Sequence, residues 1–129
     1  MMIHPTASVS TKAMIGEFVQ IGAFTVIADG VEIGDNAKIG AHCVIDKNVK
    51  IGPDCEVGHG CILNEGATLQ GGVRLGSNVT VVSSVTLCSD SLVGSGAVLI
   101  GSPGDELVIQ TEAEVPAGLV LTEKTEIQR

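Results

Sequence analysis

The stretch Val31-Glu32-Ile33-Gly34-Asp35-Asn36-Ala37-Lys38-Ile39-Gly40-Ala41-His42-Cys43-Val44-Ile45 decides the fold. Its residues Ile33, Ile39 and Ile45 stand six apart, and the series runs on in both directions without a break. Upstream it passes through Ile27, Ile21, Ile15 and Val9 to Ile3; downstream it passes through Ile51, Val57, Leu63, Leu69, Leu75, Val81, Leu87 and Val93 to Leu99. Two residues before most members sits something small or β-branched, such as Ala13, Val19, Ala37, Cys43 or Cys61. One residue after many of them comes a glycine, as at Gly16, Gly34, Gly52 and Gly58. A period of six is neither that of an amphipathic helix nor plain strand alternation. It is the period of a parallel β-helix built from stacked hexads.

The geometry follows from the hexad. Side chains alternate along a strand, so the aliphatic residue and the small residue two before it share one side, the interior. The glycine is expected to turn the chain by adopting positive φ. Three strands and three turns make a coil of about 18 residues, and coils stack at about 4.8 Å. Stacked copies of Ile and Val then form a continuous apolar column.

The chain has 129 residues, enough for one domain spanning 1–129. Its net charge of −8 argues against non-specific nucleic-acid binding, and two Phe with no Trp or Tyr leave almost no platform for stacking bases. The apolar runs are too short to span a membrane and no signal peptide precedes the first hexad, so a cytoplasmic location is expected. Cys43, Cys55 and Cys61 occupy small inward positions and Cys88 follows Leu87 at a turn, which reads as reduced packing thiols. The register breaks once: Asp105 stands where an aliphatic residue is due, and the series resumes at Ile109, Val115, Leu121 and Ile127, shifted by four. A short insertion is therefore expected over 100–105, around Gly101-Ser102-Pro103-Gly104, and a polar tail over 122–129.

These repeats resemble those of the bacterial hexapeptide-repeat transferases, with Ile3-His4-Pro5-Thr6-Ala7 as a first coil and Val115-Pro116-Ala117 in a last coil like that of the sugar acetyltransferases. The resemblance covers nearly the whole chain. It implies an all-β fold, a left-handed parallel β-helix of about seven triangular coils, against the usual right-handed crossover. It also implies a homotrimer with parallel axes.

Three outer faces begin with inward residues Ile3 (face A), Val9 (face B) and Ile15 (face C). Faces A and C carry polar or charged outward residues such as Gln20, Lys38, Glu56 and Arg74, or Glu32, Lys50 and Thr68. Face B carries Val26, Val44 and Ile62, with Phe24 beside them. A contiguous exposed apolar stripe marks an interaction surface, and here it names the face for the trimer contact.

Chemistry is expected beside that stripe, where His42 and His59 lie in turns between faces A and B, one coil apart and offset by one residue. In the resembled acyltransferases a histidine at the subunit interface is the general base, taking a proton from a sugar hydroxyl or amine as it attacks a coenzyme A thioester. Histidine suits the task because its pKa lies near working pH. His59-Gly60-Cys61-Ile62-Leu63 resembles the family's His-Asp-Cys-x-aliphatic hexad, with Gly60 in place of the acid. In a second frame, that of the lipid A-type acyltransferases, Pro53 occupies the place of the catalytic histidine and Gly72 that of a further one. Both His59 and His42 therefore stand as candidate bases. Asp46 and Asn64, stacked at the turn leaving face B, are candidate substrate-binding residues; the plainer reading is that they form turns.

Two function classes remain. One is an acyltransferase, of acetyl groups in the first instance, moving them from coenzyme A to a sugar or nucleotide-sugar. The other is a non-catalytic hexapeptide scaffold or assembly module, favoured by the lack of an extruded loop before residue 100, by Pro53 and Gly72, and by few basic residues. A γ-carbonic anhydrase-like metalloenzyme needs three histidines converging on zinc. Its pair five residues apart is missing among His4, His42 and His59, and no metal is expected.

Overall fold

The computed structural model describes residues 1–102 and 106–122. They form a left-handed parallel β-helix: three parallel sheets wrap a triangular prism, two of seven strands and one of six. Sheet A starts at Met2–Ile3, sheet B at Ser8–Val9 and sheet C at Met14–Ile15. Each strand pairs with its counterpart one coil on, so that Val26 faces Val44 and Ile45 faces Leu63. Most strands are two residues long, with the first exposed and the second buried. This is the hexad's own pattern: the residue before the aliphatic faces out and the aliphatic fills the core.

The core is a set of vertical columns. Ile27, Ile45, Leu63, Val81, Leu99 and Leu121 are all essentially sealed from solvent. Each such side chain contributes about 1.5–3 kcal/mol by leaving water. Only the first coil lacks a neighbour beneath it, and Ile3 is 37% exposed for that reason.

The glycines work differently from the expectation. Gly16, Gly34, Gly52 and Gly58 are not in the positive-φ region; the left-handed residues of the turns are others, among them Asn36, Asn48, Asp54 and Asn78. What these glycines permit is stacking. A Cβ on Gly34 would lie 2.5 Å from the Pro53 nitrogen, and one on Gly58 would lie 2.5 Å from the Gly76 carbonyl oxygen. The left-handed slot is mostly filled by Asn, Asp and Gly, which tolerate it. Phe18 and Phe24, at φ 60° and 59°, do not belong to that class. Bulky residues there are outliers, and such strain costs of order 1–3 kcal/mol.

The buried thiols pack and also bond. Thr25 Oγ1 donates to the Gly40 carbonyl at 2.7 Å, and one coil on Cys43 Sγ donates to the Gly58 carbonyl at 3.1 Å. Cys61 repeats the bond to Gly76, and Cys55 makes its equivalent to Gln70. Thr25, Cys43, Cys61 and Cys55 thus each satisfy a corner carbonyl of the coil above. All four cysteines are free, with Cys88 half-buried.

The register shift is visible in the pairing of Leu87 with Ile109 and Val85 with Leu107. Ile100 still belongs to the strand Val98–Ile100 and pairs with Thr122, which closes the last strand. The extra residues therefore sit beyond Ile100, and Thr122 is strand rather than tail. Residues 103–105 and 123–129, the remainder of the expected insertion and tail, lie outside the described residues. No helix among the described residues is long and apolar enough to cross a membrane.

Candidate functional site at the corner between sheets A and B

The corner joining sheets A and B repeats as Gly22-Ala23-Phe24-Thr25, Gly40-Ala41-His42-Cys43, Gly58-His59-Gly60-Cys61 and Gly76-Ser77-Asn78-Val79. His42 occupies the left-handed slot at φ 59°, one coil above Phe24 at the same slot and one below Gly60. His59 occupies the slot before it. The two imidazoles therefore sit in different backbone environments, although both are exposed.

His59 is tied to the fold. Its Nδ1 accepts the Ala41 N–H at 2.8 Å. The same bond recurs elsewhere with a different acceptor: Ser95 Oγ takes the Ser77 N–H and Asp35 Oδ1 takes the Glu17 N–H, each at 2.9 Å. His59 thus fills a capping role that serine and aspartate fill in other coils. With Nδ1 accepting, the neutral ring carries its proton on Nε2. The outer nitrogen is then a donor, unable to take a proton.

His42 is differently placed. Its ring stacks on Phe24 with centroids 5.2 Å apart and planes at 25°. Neither ring nitrogen makes a hydrogen bond within the described residues, so one of them is an open acceptor. Beside it run the exposed Val26, Val44 and Ile62 of sheet B, with Phe24 58% exposed at the edge.

Asp46 and Asn64 stack at the opposite edge of sheet B, where Asp46 Oδ1 accepts the Lys47 N–H at 2.8 Å. One protomer does not bring them to the histidines. Of the basic residues, Arg74 is engaged by Glu56 at 3.1 Å, while Lys50 lies 4.0 Å from Glu32. A groove of about 560 Å³ runs along sheet C past Met14, Glu32 and Lys50, and one of about 420 Å³ lies against sheet A past Asp54, Arg74 and Leu92; neither includes His42 or His59. Among the described residues no three His, Cys, Asp or Glu side chains converge as a metal site. The sequence reading missed both the bond that occupies His59 and the Phe24–His42 stack. The stack had a signal in the sequence, since its members share a turn slot one coil apart.

A family model of the bacterial transferase hexapeptide (six repeats) matches residues 12–47, and one of the GMPPB C-terminal domain matches residues 31–129. The chain belongs to the GMPPB C-terminal domain family, and its residues 12–47 carry the bacterial transferase hexapeptide repeat. No curated protein matches it significantly. Among solved structures it is similar to PerB from Caulobacter crescentus in complex with CoA and GDP-perosamine, at 24% identity and a TM-score of 0.68 over 98% of this chain and 56% of that one. It is similar to the acetyltransferase domain of PglB from Neisseria gonorrhoeae, at 20% identity and a TM-score of 0.72 over 98% and 56%. WeeI from Acinetobacter baumannii aligns at 20% identity and a TM-score of 0.80 over 93% and 57%. At such identities the likeness is one of fold. The chain spans just over half the length of these structures.

Proposed function

We propose that this chain is an acyltransferase of the hexapeptide-repeat kind, moving an acetyl group from coenzyme A to the amine or hydroxyl of a sugar or nucleotide-sugar. His42 is its general base, at a homotrimer interface formed by the face carrying Phe24, Val26, Val44 and Ile62. The observation that carries this reading is the open acceptor nitrogen of His42 beside that apolar face. His42 takes the proton of the acceptor as its nitrogen or oxygen attacks the thioester carbonyl carbon. It returns that proton to the departing coenzyme A sulfur as the carbon–sulfur bond breaks. Turn N–H groups hold the developing oxyanion. His59, with Nδ1 occupied, supports the corner and offers an Nε2–H donor. Asp46 and Asn64 of a neighbouring subunit face the histidine corner around the threefold axis and bind the sugar. Similarity to PerB, crystallised with CoA and GDP-perosamine, supports an amino-sugar acceptor.

The test is release of coenzyme A from acetyl-coenzyme A with a panel of nucleotide-linked amino sugars, run beside melts with coenzyme A alone. The expected results are a raised melting temperature with coenzyme A, since the ligand binds only the folded state, and a rate lowered about 10²–10⁴-fold in His42→Asn. A charged Val44→Lys variant is expected to dissociate in sedimentation and lose transfer.

The second reading, a non-catalytic assembly module, is favoured by Gly60 where the acid of the catalytic hexad stands and by Pro53 and Gly72 at the histidine places of the second frame. Neither a melting shift nor transfer with any acceptor would decide for it.

A further inference from the structure

We propose that Phe24 is a positioning residue for His42: its ring is held in a strained turn slot so that the imidazole above it has one orientation. The proposal rests on the reading of His42 as base. Four observations carry it. Phe24 stands at φ 59° in a slot that other coils fill with Gly60, Asn78 and Gly96, so neither the turn nor the fold calls for an aromatic there. Phe24 is more than half exposed, so it is not core. Its ring lies nearly parallel to that of His42 at 5.2 Å. Its backbone is pinned from below: Phe24 N–H donates to Thr6 Oγ1 at 2.9 Å, and that hydroxyl in turn donates to His4 Nδ1 at 2.9 Å.

The physical argument is one of orientation. An exposed imidazole with no internal hydrogen bond samples several rotamers. A stacked aromatic removes most of them without occupying a ring nitrogen, which a hydrogen bond would do, as it does in His59. The base thus keeps its open acceptor while its direction is set. Phe18 supplies the control, with the same backbone conformation at φ 60° and 68% exposure, but in a corner between sheets C and A.

The test uses the purified chain and two readouts. The first is the ring-proton NMR shift of His42, one of only three histidines. The second is steady-state transfer from acetyl-coenzyme A. In Phe24→Gly the upfield ring-current shift of His42 is expected to vanish and kcat to fall about tenfold with KM unchanged. The melting temperature is expected to hold, relief of the strained φ offsetting the apolar area that Phe24 gives to the proposed trimer face, and sedimentation is expected to show the same oligomer as the unaltered chain. Phe24→Tyr restores both readouts. Phe18→Gly leaves the His42 shift and kcat alone. A lost ring shift with kcat intact overturns the positioning role, as does a lowered melting temperature in Phe24→Gly that Phe24→Tyr does not restore. An active His42→Asn variant instead overturns the base reading, and does so whatever Phe24 does.

Discussion

The side chain of His59 holds the backbone of Ala41: Nδ1 accepts the Ala41 N–H at 2.8 Å, one coil away. This bond, which the one-slot offset between them allows, sets His59 apart from His42, although both are exposed at the same corner. A capping acceptor can be replaced by another acceptor. His59→Asn is therefore expected to keep the fold and most of the transfer rate, whereas His59→Ala leaves the Ala41 N–H without its partner and costs about 1 kcal/mol. Urea melts of the two variants measure the difference. Equal stability would mean that the bond contributes nothing.

The glycine at the end of the hexad is a packing requirement. Gly34→Ala places a methyl group against the Pro53 nitrogen, a backbone atom of the coil above that cannot swing aside. We expect a loss of about 2–3 kcal/mol from forced separation of the coils, read as a drop of roughly 10 °C in melting temperature. Gly118→Ala has open space around it and is strained only by its φ of 72°. It should cost distinctly less, and if the two losses match, crowding is not the cause.

Burial pushes the Cys55 thiol above its ordinary value near 9. A thiol whose folded pKa is raised stabilises the fold fully below the unfolded pKa, and that stability is lost as pH rises toward the folded value. The fold is thus expected to weaken from about pH 9 upward, as the unfolded chain gains thiolates that the folded chain excludes. Urea titrations at neutral pH and above pH 10 should show this, with the slope reduced in Cys55→Val. A slope identical in that variant would assign the loss to other groups. Alkylation at neutral pH should label Cys88 first, because it is the half-buried one.

Ser91 is fully buried and its Oγ has no partner among the described residues. The equivalent inward positions in the coils below and above hold Val73 and Ala113, whose side chains offer no hydrogen-bond partner. Ser91→Ala removes an unsatisfied hydroxyl at little cost in volume. A gain of about 1 kcal/mol follows, visible as a raised melting temperature; a destabilised Ser91→Ala would point to a partner for this hydroxyl.

Most of the fold is legible in the series from Ile3 to Leu99. A strict period of six forces one aliphatic residue per strand into the interior, and 18 residues separate paired positions such as Val26 and Val44. The same period places Val26, Val44 and Ile62 on one outer face and locates the register shift before Ile109. These features follow from repetition: each coil must present the same surface to the next, so spacing in sequence is position in space. What spacing does not contain is the direction of a side chain within a turn. His42 and His59 differ by one slot, and that slot decides whether a ring nitrogen meets a neighbouring N–H or stays open. The glycines show the same division. Their period is written in the chain, but whether they supply a left-handed turn or room for the next coil depends on which backbone atoms lie above them. The stack of coils, bringing Pro53 over Gly34 and Phe24 under His42, settled both.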